Sequence, residues 1–198
     1  WYKGIRIILD ALKALDAAGQ DFRMVFIGGG TDKDEITAYA ASLDLGGKVC
    51  FCQPIHDREL IRAWYCRADL FLFPSTFDTN GLVVREAAAC ALGSVLIAGS
   101  CAAEDVTDGV NGFLIEENAE SMAAKLLELC AAPEAMARIG AGAQTAVAGA
   151  NIRLYAGVSG DADKAVLALL AGKLVHDPSA VHCGHHDGEH QCGGHHCH

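Results

Sequence analysis

The sequence has few basic residues: its 198 residues include 15 Lys and Arg against 25 Asp and Glu. The formal net charge of -10 argues against a nucleic acid partner, because nucleic acid phosphates are bound by clustered Lys and Arg. It argues equally against a polybasic membrane contact on this part of the chain. We therefore expect any membrane association to depend on segments of a longer protein.

Long apolar runs and targeting signals are also absent from the sequence. No run approaches the roughly 20 residues of a transmembrane helix, and no signal peptide opens the chain, so we expect a cytoplasmic protein. With 52% hydrophobic and 20% charged residues, the chain can bury the core of a globular domain. Because it begins with Trp1 and not with Met, we expect it to be a piece of a longer protein.

Strand-like and helix-like apolar patterns alternate along the chain. The periodicity predicts strands at 23–28, 48–52, 69–73, 94–98 and 112–115, and helices at 4–18, 32–44, 58–67, 81–91, 119–131, 133–148 and 161–174. This alternation is typical of an α/β fold with a parallel sheet and right-handed crossovers. We therefore predict a Rossmann-like domain over 1–150 without its first strand, a helical segment over 151–175 and a flexible His/Cys-rich tail over 176–198.

The segment 74–86, Pro-Ser-Thr-Phe-Asp-Thr-Asn-Gly-Leu-Val-Val-Arg-Glu, joins a predicted strand to a predicted helix. Ligands of parallel sheets bind at the carboxyl ends of strands, where this segment begins. The helix N-terminus presents unpaired amides over 79–82, which suit an anion such as phosphate. The carboxylates of Asp78 and Glu86 suit hydroxyl groups. A helix cap and a solvated helix glutamate would also explain these two residues.

The order of residues in this segment resembles the donor site of retaining GT-B glycosyltransferases, in particular glycosyltransferase family 4 (glycosyl transferases group 1). In that family a serine after a proline precedes an acidic residue, a glycine three positions later and a glutamate five after that. Here these are Asp78, Gly81 and Glu86. Lys3-Gly4, the glycines at 28–30 and the segment 108–114 resemble further family motifs in the same order.

The sequence departs from the family pattern at two places. Asp78 stands where the family normally has glutamate, which is one methylene longer. The segment 91–94 reads Ala-Leu-Gly-Ser, where the family usually has Gly, any residue and Pro followed by small apolar residues. The first departure bears on the reach of the carboxylate and on sugar preference, and the second makes the match locally weaker.

The resemblance implies one half of a GT-B fold, the C-terminal domain that binds a UDP-, GDP- or ADP-sugar for transfer with retention of configuration. It implies catalytic roles for Asp78, at the donor sugar hydroxyls, and Glu86, at the ribose hydroxyls. The donor diphosphate and base would contact Lys3, Gln53, Thr79, Asn80, Gly81 and Leu82. No cofactor is required for transfer. The acceptor would bind mainly to an N-terminal domain that this chain lacks, so we expect the fragment alone to be inactive.

The sequence near residue 30 is similar to two other ligand-binding motifs, a dinucleotide fingerprint and a metal-binding acidic triplet. Glycines 28–30 could open a dinucleotide fingerprint, but no third spaced glycine follows, and Asp32 and Asp34 would repel a pyrophosphate. Asp32-Lys33-Asp34 also imitates a metal-binding acidic triplet, although acidic residues in a first helical turn are stabilised by the helix dipole. We favour the helical explanation. Asp57 is likewise predicted to be a helix N-cap.

Cysteine and histidine fall into two groups. Six cysteines lie in apolar patterns, and we expect them to be reduced and mostly buried: Cys50, Cys52, Cys66, Cys90, Cys101 and Cys130. The tail offers candidate ligands for zinc or another transition metal: His182, Cys183, His185, His186, His190, Cys192, His195, His196, Cys197 and His198. It contains no Cys-x-x-Cys, and a disordered tail that binds metals adventitiously is the alternative.

Two other functions are compatible with these patterns. One is a nucleotide-binding module without catalysis, which would keep Glu86 and the amide patch and could lose Asp78. The other is a metal-handling protein that acts through the tail, with the folded domain as its scaffold.

Overall fold

The computed structural model describes residues 1–78, 81–150 and 162–175. Five short strands alternate with helices in this part of the chain. The strands are β1 (Met24–Ile27), β2 (Val49–Cys52), β3 (Phe71–Phe73), β4 (Ser94–Ile97) and β5 (Phe113–Ile115). The helices are α1 (Ile5–Ala17), α2 (Lys33–Ser42), α3 (Arg58–Arg67), α4 (Leu82–Ala89), α5 (Ala119–Ala131), α6 (Pro133–Gly149) and α7 (Ala162–Leu170). A 3₁₀ turn, Cys101–Ala103, follows β4.

All the strand pairs in the described part of the chain are parallel, and they form two hydrogen-bonded groups. In one group β1 pairs with β2, with Met24 opposite Val49. In the other group β4 lies between β3 and β5, with Val95 opposite Phe113. The predicted α/β architecture of parallel strands flanked by helices is therefore confirmed. Since the pairing is parallel, the carboxyl ends of the strands within each group lie at one edge.

Both strand groups contribute to one hydrophobic core. Helix α1 buries Leu9 and Leu12 in it, and the second strand group adds Val95 and Phe113. Met24 and other half-buried residues of β1 and β2 pack against the same cluster. Strand β4 is buried along its whole length because strands lie on both sides of it. Strands β1 and β3 are only half-buried, and among the described strands each has a partner on one edge only.

Several local sequence signals are confirmed by the structure. The Asp57 carboxylate caps α3, accepting hydrogen bonds from the amides of Glu59 at 2.9 Å and Leu60 at 3.2 Å. Pro133 is the first residue of α6, where its missing N–H costs nothing. The strand predicted at 69–73 is shorter in the structure, and β3 is half-buried because one of its edges has no described partner. The 3₁₀ turn was not predicted.

The expectation that the cysteines are mostly buried and all reduced is wrong. Cys50, Cys101 and Cys130 are exposed, and Cys66 is disulfide-bonded. Cys50 lies on the outer face of β2, Cys101 in the 3₁₀ turn and Cys130 in the last turns of α5, where a small apolar side chain does not need to face the core.

Some expectations concern residues outside the described part of the chain. These include the metal candidates of the tail over 176–198 and most of the segment between α6 and α7. Among the described residues, no group of three His, Cys, Asp or Glu side chains could hold a metal ion. None of the described helices has the length and apolar character needed to cross a bilayer.

The turn after α4 supplies a test of backbone strain. Ala91 has φ of 55°, a left-handed conformation that L-residues other than glycine adopt at a cost. We expect Ala91→Gly to stabilise the fold by about 0.5–1 kcal/mol in urea unfolding, since glycine removes that cost. As a control, Ala88→Gly inside α4 should destabilise it by about 1 kcal/mol or more. If Ala91→Gly unfolds at a lower urea concentration than the wild type, the Ala91 backbone is not strained.

Candidate functional site

The candidate site lies where β3 ends and α4 begins. Pro74 and Ser75 follow β3 and are buried, and the chain then emerges at Thr76 and Phe77. Gly81 precedes α4 with φ of 53° and is also buried, with Ala102 packed close to its Cα. Glycine suits this position because the left-handed conformation is strained for other residues. The turn therefore fixes the start of α4 against the 3₁₀ turn.

Helix α1 begins beside the same turn. Gly4 has φ of 74°, and a Cβ atom added there would lie 1.9 Å from the carbonyl oxygen of Pro74. This close approach brings the preceding residue, Lys3, to the end of β3. The structure thus explains the Lys-Gly pair. Gly4 allows the backbone to approach Pro74, and Lys3 places a positive charge at the end of β3.

Lys3, Asp78 and Gly81 form a connected polar group at this point. The Lys3 ammonium lies 3.4 Å from Oδ2 of Asp78, across 75 positions of sequence. Oδ1 of Asp78 accepts a hydrogen bond of 2.7 Å from the Gly81 amide, so the prediction of an unpaired amide is wrong at Gly81. The lysine also lies over the ring of Phe73, 5.8 Å from its centroid. Asp78 is half-buried, so the ion pair is shielded in part from water.

The first turn of α4 presents hydrogen-bond donors beside this ion pair. Among the described residues, none accepts a hydrogen bond from the amides of Leu82 and Val83, whereas the amides of Val84 and Arg85 bond to the Gly81 carbonyl. Open amides at a helix N-terminus carry positive partial charge and bind anions. Two further predicted phosphate contacts, Thr79 and Asn80, lie outside the described residues.

Glu86 lies one turn further along α4 and contacts α3. Its Oε2 accepts a hydrogen bond of 3.2 Å from the Tyr65 hydroxyl. Burial, and then the neighbouring Glu86 carboxylate, raises the pKa of Tyr65 above its ordinary value, so the phenol remains a donor at neutral pH. Glu86 itself is exposed, which leaves carboxylate lone pairs available to a ligand.

The remaining predicted contact, Gln53, lies at the end of another strand. It is exposed and directly follows β2, next to the glycine turn, where the Gly28 amide donates to the Cys52 carbonyl at 3.3 Å. No direct hydrogen bond joins Gln53 to Lys3, Asp78 or Glu86 in the described part of the structure. The structure thus connects Lys3 with Asp78 and leaves Glu86 and Gln53 as separate polar groups.

The motif over 108–114 stabilises the backbone next to the site. Oδ1 of Asp108 accepts from the Leu114 amide at 2.8 Å, and Oδ1 of Asn111 accepts from the Thr107 amide at 2.7 Å. A Cβ atom at Gly112 would lie 2.6 Å from Val106. These polar residues and this glycine therefore hold the turn that leads into β5.

The sequence interpretation did not single out two residues of the site. Tyr65 sits in an ordinary amphipathic helix pattern, and no local signal distinguishes it from a packing residue. Ser75 is only 1% exposed, and its hydroxyl has no hydrogen-bond partner among the described residues. In the sequence, Ser75 stands out only as the serine of the Pro-Ser pair.

Comparison with known proteins identifies the family. Residues 1–146 match the family model described as Glycosyl transferases group 1. A D-inositol 3-phosphate glycosyltransferase of Xylanimonas cellulosilytica is 31% identical over 149 residues, which cover 73% of this chain and 35% of the relative. A second, from Catenulispora acidiphila, is 36% identical over 58% of this chain and 29% of its own length. The chain thus spans about a third of these relatives.

Solved structures with the same architecture include a domain and a longer protein. The C-terminal domain of a glycosyl transferase group 1 family protein from Francisella tularensis superposes with a TM-score of 0.67 at 24% identity, covering 75% of this chain and 79% of that domain. Anabaena HepE, solved in complex with UDP and glucose, gives a TM-score of 0.64 at 26% identity, covering 74% of this chain and 40% of HepE. With the family model matched over 1–146, the chain belongs to the glycosyl transferases group 1 family and has the α/β architecture of GT-B glycosyltransferases.

Proposed function

We propose that this chain is the C-terminal, donor-binding domain of a retaining hexosyltransferase of glycosyltransferase family 4. Membership of the glycosyl transferases group 1 family supports the reaction class. The complex of the similar protein HepE with UDP and glucose supports a nucleotide-sugar donor. The observation that carries the proposal is the group formed by Lys3, Asp78 and the amides of Leu82 and Val83 at the start of α4, which have no acceptor among the described residues.

In the proposed reaction, the bond between the sugar anomeric carbon and the donor diphosphate breaks. An acceptor hydroxyl forms a new bond to that carbon on the same face and gives its proton to the departing diphosphate oxygen. Negative charge accumulates on the leaving diphosphate, while the sugar becomes oxocarbenium-like. Fixed donors aimed at that charge lower the barrier. The Lys3 ammonium and the α4 amides are such donors, so we propose that no metal ion is needed.

Two carboxylates divide the remaining donor contacts in this proposal. Glu86, exposed and oriented by Tyr65, accepts hydrogen bonds from the ribose hydroxyls. Asp78, which contacts Lys3 and the Gly81 amide, binds the hydroxyls of the donor sugar. A nucleotide-binding module without catalysis would keep the contact of Glu86 with the ribose but would not need the contact of Asp78 with the sugar. Gln53 borders the base from the end of β2.

The acceptor is proposed to bind to a second, N-terminal domain of the parent protein. The relatives support this, because the chain spans only about a third of their length. The strand pairing supports the presence of one further strand in this domain, since β1 and β3 each have one edge without a described partner. A parallel strand joined to residue 1 would end near both β1 and β3, because Trp1 contacts Asp32 beyond β1 and Gly4 contacts Pro74 beyond β3.

Replacing Lys3 by methionine tests the diphosphate contact. We expect about tenfold weaker binding of UDP or GDP in calorimetric titration, because a charge-assisted contact to phosphate is lost. Uridine and guanosine, which have no phosphate, should bind wild type and variant equally. The difference in nucleotide affinity between wild type and variant should become smaller at high salt.

Lys13→Met is the matched control for this experiment. Lys13 lies on α1, is exposed to a similar extent, 43% against 39% for Lys3, and likewise pairs with an aspartate, Asp16. It lies away from the end of β3, so its variant should keep the wild-type affinity. Equal losses in both variants, or no loss for Lys3→Met, would show that Lys3 does not bind the diphosphate.

A further inference from the structure

A pair of cysteines on β2 lies apart from the proposed donor contacts. Cys50 and Cys52 are two residues apart, so their side chains point to the same side of the strand. Their Sγ atoms are 3.9 Å apart. Phe51, between them, points the other way and stacks on Phe26 in the core, with ring centroids 5.1 Å apart. The two thiols therefore occupy the outer face of β2, where Cys50 is exposed.

The distance between the sulfur atoms matches that of two ligands of one metal ion. With a Zn–S bond of about 2.3 Å and tetrahedral angles, two thiolates on zinc are roughly 3.8 Å apart. A disulfide between them fits poorly, because Cα atoms two residues apart in a strand are separated by about 6.6 Å, at the upper limit for a disulfide. The strand thus holds the thiols at a distance that suits a bridging ion.

We propose that Cys50 and Cys52 form a two-thiolate site for a soft d10 metal ion of the zinc class. The pair supplies two of the four tetrahedral positions of such an ion. Binding requires both thiols to lose their protons, so it weakens as the pH falls. The proposal does not depend on the transferase function.

The proposal is tested on the full chain by titration with Cd²⁺, a zinc-class ion whose thiolate complexes absorb in the ultraviolet. The protein is kept reduced with a phosphine. Cys50→Ser and, separately, Cys52→Ser should each lose one equivalent of thiolate-bound Cd²⁺ or bind it about tenfold or more weakly. Cys101→Ser and Cys130→Ser are the controls, because both thiols are exposed and neither contacts another described thiol.

Thiols of the tail also bind Cd²⁺, but they are present in every variant and cancel in the comparison. Because Cys50 is exposed, its serine variant should melt at the wild-type temperature, which separates loss of a ligand from loss of folding. Wild-type titration curves for Cys50→Ser and Cys52→Ser would overturn the proposal, as would an equal loss in the Cys101 and Cys130 controls.

Discussion

Replacing Gly4 by alanine is expected to destabilise the domain by roughly 3 kcal/mol or more, the largest effect of any single methyl group near the site. Two costs combine. Gly4 has φ of 74°, which costs an L-residue about 1 kcal/mol. The added Cβ would also lie 1.9 Å from the carbonyl oxygen of Pro74, and that oxygen belongs to buried backbone that cannot rotate away.

Gly19→Ala separates these two costs. Gly19 follows the other end of the same helix with the same φ of 74°, but a Cβ added there meets nothing within 4 Å. Its replacement should therefore cost only about 1 kcal/mol in urea unfolding. If the two variants unfold at the same urea concentration, the contact between Gly4 and Pro74 does not exist in solution.

The Gly4 variant should also lose diphosphate affinity. Any backbone movement that relieves the clash carries Lys3 away from the end of β3, and with it the ammonium that lies 3.4 Å from Asp78. The Gly19 variant keeps this geometry and should bind normally. The glycine of the Lys-Gly motif is thus explained by packing, and the lysine beside it by proposed chemistry.

The alternation of elements was predictable from the sequence because local patterns determine it. Helix α5 begins and ends at the predicted residues, and the Asp57 cap of α3 and Pro133 at the first position of α6 act through neighbours within four residues. In the segment over 74–86, the strand, turn and helix were also predicted in order. These features depend on side chains close in sequence, where spacing and residue type are sufficient evidence.

Contacts between distant segments could not be predicted from those patterns. The ion pair of Lys3 with Asp78 spans 75 positions, and the hydrogen bond of Tyr65 to Glu86 joins two helices. The sequence gives no signal for either without knowledge of how the helices pack. The left-handed turn at Ala91 could not be predicted either, because alanine in a sequence does not indicate a positive φ. It lies where the family usually has glycine, which the backbone conformation now explains.

Replacing Glu86 by alanine is expected to reduce nucleotide affinity by about 100-fold, because two charge-assisted hydrogen bonds to ribose hydroxyls would be lost at about 1.5 kcal/mol or more each. The domain should remain folded, since the Glu86 side chain is exposed and its described contact is one hydrogen bond with Tyr65. Calorimetric titration with UDP and GDP measures the affinity, and thermal unfolding checks the fold.

Two further variants determine whether the carboxylate acts on the ribose. A 2′,3′-dideoxyribose nucleotide lacks the hydroxyls and should bind wild type and Glu86→Ala equally weakly. Tyr65→Phe removes the hydroxyl that orients Glu86 and keeps the ring packed on Phe71. Its loss of nucleotide affinity should therefore be smaller than that of Glu86→Ala. Glu59→Ala, on the exposed side of α3, is the matched control and should bind normally. If Glu86→Ala binds UDP and GDP as tightly as wild type, then Glu86 does not hold the ribose and the proposed orientation of the donor across α4 is wrong.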